Sequence, residues 1–460
     1  MKSQGLGEKM KVEILKKLKN KIYFIPGVYG LGALILSFII ITVDNQFGSL
    51  LQGVLPGFFF TSVDLARDIL STLAGSLFGM ITISFSTIMV VLTMYSSQFS
   101  PRTVQDFLRS KMTLKVLGVF VGGFIYSIIT LLFIQDPPGS NAVFSAFVGV
   151  IIAIICLGYF VIFIHHAANS VQVNILIEKL RDEVIELVNK IEKRNNNDER
   201  IRNNSPDSLS EITAGEPQSI YADESGYIQD IADLQLTSKA AEENIVVRAE
   251  KMIGDYVTEN SIIFSVWDHE EERKELNLLK FVTIDSERSK ENDIEFGLLK
   301  LTEVALKAIS PGINDPNTAV FCINQLGWIL SRIAVANLEN TYYYDEDDNL
   351  RFILEDISFG DLLYKTFYQL RYYGNKDVSV AGALLDSLLI IAEGSPKDIK
   401  DKIWNFSSFI LAGFDEKVLE DEDKLFLNKK IKKLSIETDK GADSRPYFEL
   451  DEKEEVFNDE

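Results

Sequence analysis

Four long apolar runs, residues 22–43, 69–95, 114–134 and 142–164, are almost free of charged side chains and constrain this chain more than any other feature. The first, Ile22 to Val43, has 22 residues without a charge. At about 1.5 Å per residue, that length crosses a hydrocarbon core roughly 30 Å thick. The bilayer core offers no water to peptide groups, so each run is expected to be a helix that satisfies its own backbone. The 47% hydrophobic content hides this pattern, because residues 165–460 carry most of the 67 acidic side chains. The expected fold class is an α-helical integral membrane protein with four transmembrane helices and a cytoplasmic α+β region. That region is expected to hold a small β barrel-sandwich-like domain and a C-terminal helical domain.

The distribution of Lys and Arg sets the expected topology. Residues 1–21 carry seven Lys against two Glu, and the loop Gln98–Thr113 carries Arg102, Arg109 and Lys111. By the positive-inside bias both face the cytoplasm, which places both termini there after four crossings. The first run passes directly into Asp44-Asn45-Gln46 rather than into a small-residue cleavage site, so it is expected to remain as an anchor. The expected domains are a basic amphipathic N-terminus at 1–21, a four-helix membrane domain at 22–166 and an amphipathic connecting helix at 167–192. A flexible linker at 193–216, rich in Asn, Ser and charge, leads to a small β domain at 217–267. A helical cytoplasmic domain at 268–435 and an acidic disordered tail at 436–460 complete the chain.

Composition also removes function classes. A net charge of −21 and a pI near 4.7 would repel a phosphate backbone, so nucleic acid is not an expected partner. With two Cys, Cys156 and Cys322, and three His, neither a disulfide framework nor an ordinary zinc site is expected. The only His beyond the membrane boundary pair His165 and His166 is His269, in a charge run, so no Ser/His/Asp or Cys/His set is available. No Walker-type phosphate loop occurs. No enzyme activity, cofactor or metal is expected. The one enzymatic candidate left is Asn314 and Asp315 near Glu303 and Asp293, and the acidic loop Asp345, Glu346, Asp347 and Asp348 lacks the spacing of an EF-hand.

The second apolar run has its own pattern. Thr72, Ser76, Gly79, Thr82, Ser86, Val90, Thr93 and Ser97 recur at steps of three and four, which places them along one helix face. Such a face either packs closely against neighbouring helices or lines a polar pathway whose hydroxyls replace part of an ion's water. Arg102, following Ser100-Pro101 at a helix start, stands at the expected mouth of that pathway. Beyond the last run, Val173, Ile177, Leu180, Val184, Leu187 and Ile191 repeat at alternating steps of four and three. They form a seam that must be covered, and the equivalent helices of other subunits are the expected cover.

Three further segments carry a resemblance. Asp293-Ile294-Glu295-Phe296-Gly297, with Ala305 through Ser310-Pro311-Gly312-Ile313-Asn314-Asp315-Pro316-Asn317-Thr318-Ala319, resembles the bacterial membrane-protein family catalogued as domain of unknown function 2254. Ser96-Ser97-Gln98-Phe99-Ser100-Pro101-Arg102 and Ile253-Gly254-Asp255-Tyr256-Val257 resemble two other segments of that family. The resemblance implies a bacterial inner-membrane location with an N-terminal membrane region and a cytoplasmic domain, and no catalytic residues. Ser310, Pro311, Gly312, Asn314, Asp315, Pro316 and Thr318 are the motif residues whose role is structural or ligand-binding, with Asp315 placed as a helix N-cap and Pro316 at the first helical position. The expected function is a homo-oligomeric channel or permeation protein in the lipid bilayer, passing inorganic ions and gated by its cytoplasmic domain. The alternative is a membrane-anchored regulatory or ligand-binding module without transport activity.

Overall fold

A computed structural model describes residues 23–108, 110–135, 142–268, 276–289, 291–336, 338–355, 357–414, 416–441 and 448–449. The expected N-terminal segment 1–21 and most of the expected tail lie outside the described residues. The chain divides into two compact units, Met1–Ile175 and Leu176–Glu460.

In the first unit the apolar runs are helical. Helix α1 spans Phe24–Val54, α2 Val63–Met94, the short α3 Val104–Leu108, α4 Lys111–Phe133 and α5 Ser145–Ser170. Strand β1 (Thr61–Ser62) pairs antiparallel with β2 (Ala142–Val143). Four of these helices, α1, α2, α4 and α5, are long and apolar enough to cross a membrane. Helix α4 is the hub, because its small residues let the others approach. A Cβ added at Gly118 would lie 2.8 Å from Tyr29 Cδ2 of α1. One added at Gly123 would lie 3.0 Å from Cys156 Sγ of α5 and 3.2 Å from Leu77 Cδ1 of α2.

Helix α1 runs past its apolar stretch, so Asp44-Asn45-Gln46 is helical and not the start of a loop. The reason is visible in Asp44, which is 4% exposed. Its carboxylate accepts from the Phe144 N–H at 2.8 Å and the Ser145 N–H at 3.1 Å. It thereby caps the start of α5 from another helix and satisfies donors that α5 itself leaves unpaired.

The second unit starts within α6 (Val173–Asn197) and continues through β3 (Ile201–Arg202), α7 (Leu209–Ile212), β4 (Gln218–Tyr221), β5 (Gly226–Ile231) and α8 (Asp233–Glu242). Strands β6 (Ile245–Ala249), β7 (Tyr256–Val257), β8 (Ile262–Asp268) and β9 (Val282–Asp285) follow. Then come α9 (Ile294–Ala308), α10 (Pro316–Ala336), β10 (Asn340–Tyr344) and β11 (Leu350–Glu355). Helices α11 (Phe359–Tyr373), α12 (Val378–Ala392), α13 (Lys397–Leu411) and α14 (Asp421–Glu437) end the unit. A six-stranded sheet has the order β3-β10-β11-β6-β8-β4, antiparallel except where β11 meets β6, and a three-stranded sheet has the order β7-β5-β9. Period-2 alternation divides the large sheet into two faces. Tyr343 and Phe352 join a core with Ile228, Leu236 and Phe264, while Tyr342, Tyr344 and Ile353 join Trp267 and Val246 on the other side.

This layout corrects two sequence expectations and adds a fifth apolar helix to the expected four. The expected β domain at 217–267 is not a separate barrel-sandwich, because its strands share a sheet with β10 and β11 from residues 340–355. The expected linker at 193–216 is ordered: α6 reaches Asn197, β3 pairs with β10, and Leu209 and Ile212 pack on the second sheet face. Few apolar residues suffice there because polar ties hold the segment, including Arg194 on Asp233 at 2.7 Å, Arg200 on Asp198 at 2.8 Å and Arg202 over the Tyr344 ring. Finally, α10 is a fifth helix long and apolar enough to cross a membrane, but 56% of its apolar window is buried within the chain, against 11–44% in the other four. Its burial has a clear cause in the close crossing with α12, where a Cβ at Gly327 would lie 2.7 Å from Ser387 Cβ.

Candidate ligand site

A cavity of about 170 Å³ lies wholly inside the second unit, where α6, β5, the Met252–Asp255 turn, β10 and β11 meet the starts of α8, α9 and α11. Its walls are mainly aliphatic: Leu187 and Ile191 of α6, Ile231, Ile253, Ile294, Ile333, Leu354, Leu362 and Ile399. Carboxylates also line it, and most have structural employment. Asp233 accepts from the Leu234 N–H at 2.7 Å at the start of α8. Asp293 is the N-cap of α9, accepting from the Phe296 N–H at 2.8 Å. Glu339 accepts from the Phe359 N–H at 2.7 Å at the start of α11, and from Lys402 at 3.0 Å. Three helix starts thus face the cavity, and each presents donors that attract negative charge. The chain's own carboxylates already meet that demand.

Two polar groups tie the walls together. Arg194 donates to Asp233 at 2.7 Å and to the Tyr343 hydroxyl at 3.1 Å, and Tyr343 donates to the same Asp233 oxygen at 2.7 Å. Burial, then the neighbouring Asp233, pushes the Tyr343 phenol well above its ordinary range, so it stays a donor. On the opposite wall Arg288 donates to Asp293, with one contact at 2.5 Å and another at 3.0 Å. Burial raises the Asp293 carboxyl above its ordinary value near 3.8, and Arg288 reverses only part of that. Gly254 closes this corner with φ +95°, and a Cβ there would collide with the Asp293 carboxylate and the Arg288 guanidinium.

Against these employed groups stands Thr341. It is 7% exposed and lines the cavity, and its hydroxyl has no hydrogen-bond partner among the described residues. At the rim, the exposed Lys190 lies one turn from Arg194 on α6, and its ammonium has no partner among the described residues.

The sequence-selected residues fall elsewhere. On α2 and the helical turn Tyr95–Phe99 that follows it, Thr72, Ser76, Thr82, Ser86, Val90, Thr93 and Ser97 are exposed and Gly79 is half-buried. Each of the first four hydroxyls donates to its own helix four residues back: Thr72 to Asp68 at 2.8 Å, Ser76 to Thr72 at 2.9 Å, Thr82 to Phe78 at 3.0 Å and Ser86 to Thr82 at 3.1 Å. Thr93 donates to Met89 at 2.9 Å and Ser97 to Met94 at 3.3 Å. Such back-bonding satisfies the donors without water or an ion. Ser100 caps the turn Pro101–Thr103 by accepting from the Arg102 N–H at 3.1 Å, and Arg102 is exposed.

The α6 seam is corrected. Ile177, Leu180, Val184 and Leu187 are buried within the single chain, with Val173 and Ile191 half-buried. Val184 presses on Gly297 so closely that a Cβ there would collide with it. The cover is α9 of the same chain, not another subunit. The periodicity showed that the seam needed a cover but carried no information on which chain supplies it.

The Ser310–Thr318 motif forms the α9–α10 connection. Ser310 donates to the Lys307 carbonyl at 2.6 Å, and Asn314 adopts φ +52°. Asp315 accepts from the Thr318 N–H at 3.2 Å and its hydroxyl at 2.6 Å, which caps α10. Pro311, Gly312 and Asn314 are exposed, and Pro316 is half-buried at the first position of α10. Asp293 and Asp315 stand at opposite ends of the 15-residue α9, roughly 22 Å apart along its axis, so the acidic set with Glu303 and Asn314 is not assembled. Burial pushes the Cys322 thiol far above its ordinary range, which leaves it unreactive. Among the described residues no group of three or more His, Cys, Asp or Glu is placed to hold a metal ion. The cavity itself escaped sequence reading, although Ile253, Asp255, Asp293, Ile294 and Glu295, which line it, belong to the segments that carry the family resemblance.

The apolar helices of the first unit, joined to a mixed sheet and helices in the second, define a membrane protein with a large folded polar portion. The chain matches the family described as predicted membrane protein (DUF2254) over residues 19–389, and it belongs to that family. It is 28% identical over 342 residues to Uncharacterized protein Rv1290c of Mycobacterium tuberculosis and to Uncharacterized protein Mb1321c of Mycobacterium bovis. These alignments cover 71% of this chain and 64% of each relative, so the chain spans just under two thirds of the length of the curated relatives it matches. No solved structure matches it.

Proposed function

We propose that this protein is a ligand-binding regulatory module anchored in the bacterial inner membrane by four helices, with both termini in the cytoplasm and no catalytic activity. The observation that carries this reading is the aliphatic cavity with Thr341 in its wall, a residue 7% exposed whose hydroxyl has no partner among the described residues. A few placed polar groups in an apolar hollow are what small-molecule sites consist of, and a structural core would have filled the space. The four-span count treats α10 as a core helix, in keeping with its burial.

The test uses the full chain in lipid nanodiscs. All three Trp, Trp267, Trp328 and Trp404, belong to the second unit, so their fluorescence reports its unfolding alone. Medium-chain alcohols should raise the unfolding midpoint, and Thr341→Trp, which fills the cavity, should abolish the rise. At 100 times Kd a bound molecule stabilises by about 2.7 kcal/mol. No shift at any chain length contradicts the reading.

A second reading is a permeation protein that passes inorganic ions along the hydroxyl face of α2. The exposure of that face in the single chain favours it. Homo-oligomeric assembly would then use α2, because the α6 seam is covered. Ion flux into liposomes that falls in Ser86→Leu supports this second reading, and absence of flux removes it.

A further inference from the structure

We infer that Asn428 and Glu416 form a docking groove for an extended peptide, and that the chain's own C-terminal segment, at Phe448–Glu449, is its exchangeable occupant. The groove lies in the second unit, between α14 and the turn Glu416–Val418. Neither Asn428 nor Glu416 lines the cavity, so the inference is independent of the ligand-binding reading. Composition predicts a disordered acidic tail over residues 436–460, yet two of its residues are held from both sides.

The Asn428 amide meets both polar groups of one residue. Its Nδ2 donates to the Phe448 carbonyl at 2.9 Å, and its Oδ1 accepts from the Phe448 N–H at 2.9 Å. A side-chain amide carries its donor and acceptor side by side, so the N–H and C=O of Phe448 must point the same way. That is the geometry of an extended strand, where a residue exchanges both bonds with its opposite number, and Asn428 stands in for the neighbouring strand. The next residue of such a strand turns its polar groups to the opposite side. Glu449 does so, with its N–H donating to Glu416 Oε1 at 3.0 Å.

Main-chain bonds give a site of this kind its affinity for an extended chain, and adjoining side chains give it preference. Leu425, one turn before Asn428 on α14, is 54% exposed, and Val418, two residues beyond Glu416, is 57% exposed. This apolar surface beside each clamping residue suits the sequence Tyr447-Phe448-Glu449-Leu450. Asn428 and Phe448 are half-buried and Glu416 and Glu449 are exposed, so each bond adds little net free energy and the segment can leave. Attachment to the same chain keeps the groove filled, because a tethered segment has an effective concentration on the order of millimolar.

The experiment follows hydrogen exchange of the full chain in lipid nanodiscs by mass spectrometry, with fragmentation to single amides. The Phe448 and Glu449 amides should exchange about tenfold more slowly than in a free peptide of residues 446–454. Asn428→Ala should remove the protection of both, and Glu416→Ala should release Glu449 far more than Phe448. Trp fluorescence should give the wild-type unfolding midpoint for both variants, which separates loss of the clamp from loss of the fold. The free peptide, added at about ten millimolar, should release both amides of the full chain, and the same peptide N-methylated at Phe448, which lacks the donor to Asn428, should not. Free-peptide exchange rates in the wild type, protection that survives Asn428→Ala, a Glu449 amide unaffected by Glu416→Ala, or no release by the added peptide overturns the inference.

Discussion

Asp293 ties one corner of the cavity wall to the start of α9. Its side chain is 2% exposed beside an Arg288 that is 17% exposed, and it also caps α9. Removing one partner of such a pair leaves the other charge buried without compensation. Asp293→Ala should therefore cost the second unit about 3–5 kcal/mol, and Asp293→Asn, which keeps a capping oxygen, should cost less. Urea unfolding followed by Trp fluorescence measures both, and equal losses would show that the cap contributes nothing. At this scale the sequence was partly legible. Asp315 could be named as a cap because the cap, Pro316 and the following helix are adjacent in the chain. Thr341 could not, since a Thr in a strand announces neither its burial nor the lack of a partner.

At the scale of elements, α6 shows where periodicity stops being informative. Its seam was legible, but its cover is α9, more than one hundred residues away, and a heptad-like pattern is the same whether a sister subunit or the same chain closes it. Leu180→Asp should consequently destabilise each chain by at least about 3 kcal/mol. The loss should be visible as a lower unfolding midpoint without dependence on protein concentration. A variant that keeps full stability but changes its oligomeric state would restore the intersubunit seam. The β10–β11 turn gives a pH-dependent case. Burial raises the Asp345 carboxyl, but Arg351 at 2.7 Å and the Asn349 N–H at 2.8 Å outweigh it, so the pKa lies below its ordinary value near 3.8. A depressed carboxyl contributes stability above its unfolded pKa and loses it as pH falls through the folded value. The stability gap between wild type and Asp345→Asn should then be full at neutral pH and shrink as pH drops below 3.8. A gap independent of pH would contradict this origin.

For the whole molecule, the apolar runs identified the membrane helices because lipid imposes a length and a composition that a sequence displays directly. The cavity was not legible because it is assembled from segments between Leu187 and Ile399, each an ordinary amphipathic helix or strand by itself. The proposed orientation can be checked with single cysteines, because the native Cys156 and Cys322 are buried. With Asp64 and Ser205, both exposed, replaced in turn by Cys, a membrane-impermeant maleimide added to intact cells should label position 64 and miss position 205. Labelling at 205 would reverse the topology.

The most direct measurement is an electron-microscopy map of the full chain in lipid nanodiscs saturated with decanol. A rod of density is expected among Leu187, Ile231 and Leu354 with its end at Thr341, and that density should be missing in Thr341→Trp. A cavity closed by its own side chains, or one that stays empty under saturating decanol, would contradict the ligand-binding reading.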